Sequence, residues 1–125
     1  MKIYLAASFT DQKRIRQYKE QLIQLGHTVF STWLEEQVKP DGMTDIQFGR
    51  KMAMKDLQEV RSADCFIIDL ENPSKTMGKM VEYGFATAHH KLMYTVGPLP
   101  PSGIFLLLAD KQFENWNQVL GDLKQ

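Results

Sequence analysis

The segment KTMGKMVEYG, residues 75–84, holds the residue types in this chain best suited to chemistry. It follows the apolar run ADCFIIDL and leads into a helical pattern, so it sets a helix N-terminus at the end of a strand. The first backbone N–H groups of such a helix have no partner within it and attract anions. Thr76 adds a hydroxyl donor, Gly78 lets a ligand approach the backbone closely, and Lys75 and Lys79 raise the local positive potential. Glu82 lies early in the helix, where the helix field favours its ionised form. A carboxylate in that place can attack an electrophilic carbon. It can equally do no more than complement the dipole.

Two further positions point the same way. Asp56 lies in the preceding helical pattern, three residues after Ala53 and four before Val60, at the margin of the apolar stripe. A carboxylate there needs water or a partner, and a ligand is one such partner. Tyr4 lies inside the first apolar run, where its hydroxyl needs a hydrogen bond. Ser8, Phe9 and Thr10 end that run and offer backbone and hydroxyl groups to a phosphate or a sugar, although Thr10 also suits the cap of the helix that follows. Phe9, Trp33 and Phe48 could supply a stacking wall for a base, with Trp33 the best placed. Simple core burial accounts for Trp33 more readily.

The elements that must position these residues alternate along the chain. KIYLAAS (2–8) reads as a strand buried on both faces. Ile15, Tyr18, Leu22 and Leu25 mark a first helix, capped by Thr10 or Asp11 and ended by Gly26. HTVFSTW (27–33) reads as a second strand, and the polar stretch after it as a loop. A helix runs from Thr44 to Arg61 with Ile46, Ala53, Leu57 and Val60 on one face. ADCFIIDL (63–70) is the central strand, and KMVEYGFATAHH (79–90) the third helix. Leu92–Val96 is a fourth strand and IFLLLA (104–109) a fifth. Phe113, Trp116, Val119, Leu120 and Leu123 make a final helix. This pattern predicts an α/β fold, a single-domain, five-stranded parallel sheet with helices on both faces, Rossmann-like or flavodoxin-like. It spans residues 1–125 with no internal boundary. Ligands bind such sheets at the carboxyl ends of the strands, near the switch in strand order. The loops after Ser8, Trp33, Leu70 and Val96 are therefore the ones that matter.

Composition narrows the partners. The 125 residues are 43% hydrophobic and 24% charged, as in an ordinary globular protein. Fifteen basic and fifteen acidic residues cancel, which argues against a nucleic-acid polymer. No apolar run nears the ~20 residues that cross a bilayer, so no membrane is implied. With one cysteine, Cys65, in a buried strand and no leader pattern, the chain reads as cytoplasmic. No His/Cys/Asp cluster has metal-ligand spacing, so neither a metal nor another cofactor is expected. His89 and His90 suit the negative end of a helix. Asp69 invites comparison with a phosphoacceptor, but Ala6, Ala7 and Ser8 stand where paired acidic residues would be required.

In their order and spacing, KIYLAASF, KDLQEVRSADCFIIDL and GKMVEYGFATAHHKLMY resemble the nucleoside 2-deoxyribosyltransferase family, which includes 2'-deoxynucleoside 5'-monophosphate N-hydrolases. The resemblance spans nearly the whole chain. It implies that Glu82 is a nucleophile forming a covalent deoxyribosyl intermediate, that Asp56 assists at the base, and that Tyr4 hydrogen-bonds the nucleophile near the 2' position. It implies that Gly78 and Ser8 lie beside the 5' group. It also implies a small deoxynucleoside or deoxynucleotide substrate and a homodimer or higher homo-oligomer in which a neighbour completes each pocket. The family's transferases carry an acidic residue six positions before the nucleophile, where it binds a free 5'-hydroxyl; Thr76 stands there in this chain. A threonine tolerates a phosphate that an aspartate would repel, which favours a 5'-monophosphate and hydrolysis. The hydrolases' basic residue near the Ser8 loop aligns with Thr10, so Lys13 or Arg14, one turn on, would have to replace it. Base exchange between deoxynucleosides is the alternative within the family, and a non-catalytic nucleotide sensor the alternative outside it. Nothing in the sequence distinguishes a purine from a pyrimidine.

Overall fold

The computed structural model describes residues 1–72 and 77–124. Five strands form one parallel sheet: β1 (Lys2–Ala6), β2 (Thr28–Val29), β3 (Cys65–Asp69), β4 (Leu92–Val96) and β5 (Lys111–Phe113), in the order β2-β1-β3-β4-β5. Four helices connect them: α1 (Gln12–Gln24), α2 (Asp45–Ser62), α3 (Gly78–Ala88) and α4 (Trp116–Asp122). The strand order reverses between β1 and β3, and this puts the crevice expected of such sheets at their carboxyl ends. Among the described residues, no helix is long and apolar enough to cross a membrane.

Because side chains alternate along a strand, the sheet has two separate cores. Ile3, Leu5, Cys65 and Ile67 pack with Ile15 and Leu22 of α1 and Trp116 and Val119 of α4. Tyr4, Ala6, Phe66 and Ile68 pack with Val60 of α2 and Tyr83 and Ala86 of α3. Parity along β1 thus sends Tyr4 toward α2 and α3, while parity along β3 sends Asp69 toward α1 and α4. Burial raises the Cys65 thiol to about 12, which keeps it protonated.

Several elements differ from the reading of the sequence. The second strand is only two residues long, because side chains replace the next rungs of its ladder. Leu5 N–H donates to Ser31 Oγ at 2.6 Å, and the Leu5 carbonyl accepts from Trp33 Nε1 at 2.7 Å. The chain then turns through a 3-10 helix at Thr32–Leu34. Residues 104–109 are not a strand: Ile104–Leu108 form a 3-10 helix with only Leu106 buried. An unbroken apolar run carries no period to separate the two conformations. The fifth strand is Lys111–Phe113, so Phe113 belongs to it and not to the last helix, which starts after the Asn115 cap (Gln118 N–H to Asn115 Oδ1, 3.0 Å).

α2 starts where expected, with a Thr44/Gln47 capping box, and covers Leu57 and Val60 as expected, but its first half presents a different face. Ile46 and Ala53 are exposed, and the partly covered stripe is Phe48, Met52 and Asp56, each four residues apart. α1 starts at Gln12 after a 3-10 turn at Phe9–Asp11, with no side-chain cap from Thr10 or Asp11. Gly26 ends it at φ 95°.

Candidate active site

Two cavities meet above the carboxyl end of β1. One, of about 320 Å³, is lined by Ala7, Phe9, Trp33, Asp56, Gly78 and Glu82, among others. The other, of about 480 Å³, shares Phe9, Trp33 and Asp56 and extends to Phe48 and Met52. Tyr4 reaches the smaller one from below: its hydroxyl donates to Glu82 Oε2 at 2.5 Å, across 78 residues of chain. The structure therefore brings Tyr4, Asp56 and Glu82 together, and puts the aromatic trio Phe9, Trp33 and Phe48 beside them. Trp33 is neither simply buried nor free. Its indole N–H is anchored on β1 while its ring lines both cavities.

Burial decides the charge states. Glu82 is raised to about 7, first by removal from water and then by the charges of Asp56 and Glu59; the Tyr4 hydrogen bond opposes the shift. At this position burial outweighs the helix field that was expected to keep the carboxylate ionised. Asp56 is raised to about 6, by burial and then by Glu59, against Lys55. Tyr4 is pushed far above its ordinary value by burial and by Glu82, so it stays a hydrogen-bond donor. A carboxyl pair that titrates near neutrality in a cleft is what proton transfer and nucleophilic attack at neutral pH require.

The residues expected near the 5' end are placed less uniformly. Gly78 opens α3 and lines the smaller cavity with its backbone. Lys79 also lines that cavity, but its ammonium turns inward, onto the carbonyls of Asp69 (3.1 Å) and Asn72 (3.2 Å) and onto Ser8 Oγ (3.4 Å). Ser8 is fully buried beneath it and lines neither cavity. Thr10 is exposed, accepts from Asn72 Nδ2 at 3.4 Å, and likewise lines neither. Thr76 and Lys75 lie outside the described residues. Arg14 holds Asp69 in a bidentate pair at 2.8 and 3.0 Å and also reaches Glu71 at 3.0 Å, so it is already engaged by carboxylates; Lys13 is exposed.

Several site residues carried no signal in the sequence. Gln12 and Gln37 line the larger cavity. Glu59 accepts from Thr32 N–H (3.3 Å) and Thr32 Oγ1 (3.0 Å), tying the Trp33 turn to the helix that carries Asp56. Glutamines and glutamates on polar stretches look alike until the fold shows what they face.

The family profile described as nucleoside 2-deoxyribosyltransferase matches residues 3–102. The chain belongs to that family. It is thus a member of a family of enzymes that act on nucleosides and nucleotides. No curated protein matches it. Among solved structures, it is similar to a 2-deoxyribosyltransferase from Bacillus psychrosaccharolyticus, with a TM-score of 0.78, 23% identity, and coverage of 99% of this chain and 96% of the other. A conserved protein from Enterococcus faecalis follows at TM-score 0.75 and 15% identity, covering 98% and 96%. A CMP N-glycosidase from Clostridium botulinum matches at TM-score 0.64 and 19% identity, covering 98% of both chains. At these identities the three structures establish the family's shared fold.

Proposed function

We propose that the protein hydrolyses the N-glycosidic bond of a 2'-deoxynucleoside 5'-monophosphate through a covalent glycosyl-Glu82 intermediate. The observation that carries this reading is the Tyr4–Glu82 hydrogen bond at a cavity that Asp56 also lines. Ionised Glu82 attacks C1' as the bond from C1' to the base nitrogen breaks, and the electron pair leaves with the base. Protonated Asp56 delivers a proton to the departing base. Water then adds to C1', the ester to Glu82 breaks, and the water's proton returns to Asp56. The products are free base and deoxyribose 5-phosphate, with retention at each displacement pair as in other two-step glycosidases. Tyr4 orients Glu82 through its hydroxyl. The backbone at Gly78, at the start of α3, suits a 5'-phosphate.

Release of free base from deoxynucleoside monophosphates, followed across pH, tests the proposal. The competent enzyme has one proton on the Asp56–Glu82 pair, held by Asp56; with Glu82 at about 7 and Asp56 at about 6 this is the less populated of the two one-proton forms, the other carrying the proton on Glu82. Below about 6 both carboxyls are protonated and no nucleophile remains; above about 7 both are ionised and no acid remains. A bell-shaped kcat/KM with limbs near those values is expected. A flat profile from about pH 5 to about pH 8 would remove this pair from the chemistry. Adding a second free base distinguishes base exchange: new nucleoside without net hydrolysis would make the protein a transferase. Binding without any free base would make it a sensor.

The assembly inferred is a homodimer or higher homo-oligomer. Ile104, Phe105, Leu107 and Leu108 are all exposed on one short 3-10 helix, and Tyr83 Oη ties that helix to α3 through the Phe105 carbonyl at 2.8 Å. A contiguous apolar surface of this kind is costly in water unless covered. Light scattering of Phe105→Glu is expected to give a monomer where the parent chain gives a larger species; a monomeric parent would refute this.

A further inference from the structure

The larger cavity is poor in free hydrogen-bond donors and rich in acceptors, which bears on the base. Gln12 Nε2 donates to the Trp33 carbonyl at 2.6 Å and to the Glu35 carbonyl at 3.5 Å. Gln37 Nε2 donates to the carbonyls of Thr32 at 2.9 Å and Glu35 at 3.1 Å. Each amide is oriented by backbone, so its oxygen is the group it can offer the cavity, and among the described residues neither oxygen accepts a hydrogen bond. Apart from the Asp56 proton, which the reaction delivers to the departing base, the other donors near the wall are also held. Trp33 Nε1 bonds the Leu5 carbonyl, and the Thr32 hydroxyl and N–H bond Glu59. Arg16 fixes Nε and Nη2 on the Leu34 carbonyl, at 2.9 and 2.6 Å, with Glu35 at 4.0 Å, which leaves only its Nη1 edge. Glu36 adds a further acceptor at the rim.

We infer that this cavity selects a base bearing an exocyclic amino group, cytosine or adenine, over the keto base of the same ring, uracil or hypoxanthine. The inference rests on the reading of the protein as an enzyme acting on deoxynucleotides, and it goes beyond it by naming the base chemistry. An amino group donates two hydrogen bonds to the Gln12 and Gln37 oxygens. A carbonyl in its place sets acceptor against acceptor, and a polar site that loses its partner discriminates far more strongly than an apolar one.

Matched substrate pairs test it on the unaltered protein. The dCMP/dUMP and dAMP/dIMP pairs differ at the exocyclic group and the adjoining ring nitrogen. The amino member of each pair that is turned over is expected to have a kcat/KM higher by about tenfold or more. Equal rates, or a preference for the keto member, would overturn the inference; the latter would make the Arg16 Nη1 edge the reader. Gln37→Met is expected to narrow the ratio, and an unchanged ratio in both Gln37→Met and Gln12→Met would assign the preference elsewhere. If no substrate releases base, the hydrolysis reading falls on its own. Titration calorimetry with the same four nucleotides still decides the base preference, with tighter binding of the amino members expected and equal binding overturning it.

Discussion

Glu82→Gln is expected to lower base release by about ten-thousand-fold while making the protein more stable above neutral pH. The loss of rate follows from the absence of another described carboxylate bonded to Tyr4 at that cavity. The gain in stability follows from burial. The folded-state pKa of Glu82, about 7, lies above the ordinary value of 4.5. Below the lower value the carboxyl is protonated in the folded and the unfolded chain, and its full contribution is present. Between the two, the unfolded chain releases a proton that the folded chain keeps, so stability falls as pH rises, and above about 7 the whole difference is lost. Glutamine has no charge to bury and can still accept from Tyr4. Urea unfolding at about pH 8 should show a gain of about 2 kcal/mol, and at about pH 4 little or none. Parent-level turnover in the variant would exclude Glu82 from the reaction. An equal gain at both pH values would mean that the carboxylate's charge is not what the fold strains against.

The largest structural effect is expected at Asp69, which lines neither of the two cavities above β1. Its carboxylate is fully buried and has four bonds: two from Arg14 (2.8 and 3.0 Å), one from Trp116 Nε1 (2.7 Å) and one from Glu71 N–H (3.2 Å). These join the end of the central strand to α1, to α4 and to the loop below the crevice. Asp69→Ala leaves a buried indole N–H without its acceptor and removes the partner that holds the Arg14 fork. Arg14 is partly exposed and keeps Glu71 and Asp11, so its charge is not stranded. A loss of about 3 kcal/mol in urea unfolding is expected, a large share of a small domain's total. A change under about 0.5 kcal/mol would show that the network contributes nothing net. This constellation also explains why Asp69 is not a phosphoacceptor: every face of the carboxylate is already occupied.

Legibility in the sequence followed the strength of the local signal. β4 runs over Leu92–Val96, as its short apolar run between His-Lys and Gly-Pro implied, and α3 lies within one or two residues of its pattern. Residues 104–109 were unreadable for the opposite reason: a run with no polar residue fits a strand and a 3-10 turn equally. The expected α2 face holds in the second half of the helix, where Leu57 is partly covered and Val60 is buried, and fails in the first half: Ile46 and Ala53 are apolar and correctly spaced, yet the first turns of α2 stand clear of the sheet and only Phe48 and Met52 are partly covered there. That face makes Asp56 the continuation of the inward stripe and not its margin. Gln12 and Gln37 could not be picked out at all, since what matters about them is which amide atom the backbone holds.

Residue order alone determined the alternation of strands and helices, and with it a parallel sheet whose strand ends gather the loops; parity within β1 then dictated that Tyr4 and Leu5 face opposite cores. These are consequences of short-range periodicity, which a sequence displays directly. Tertiary structure alone decided the charge of Glu82, the inward turn of Lys79, the capture of Arg14 by Asp69 and the donor-poor wall beside Trp33. Each depends on how much water is excluded and on which distant group arrives at hydrogen-bonding distance, and neither quantity exists until the chain has folded.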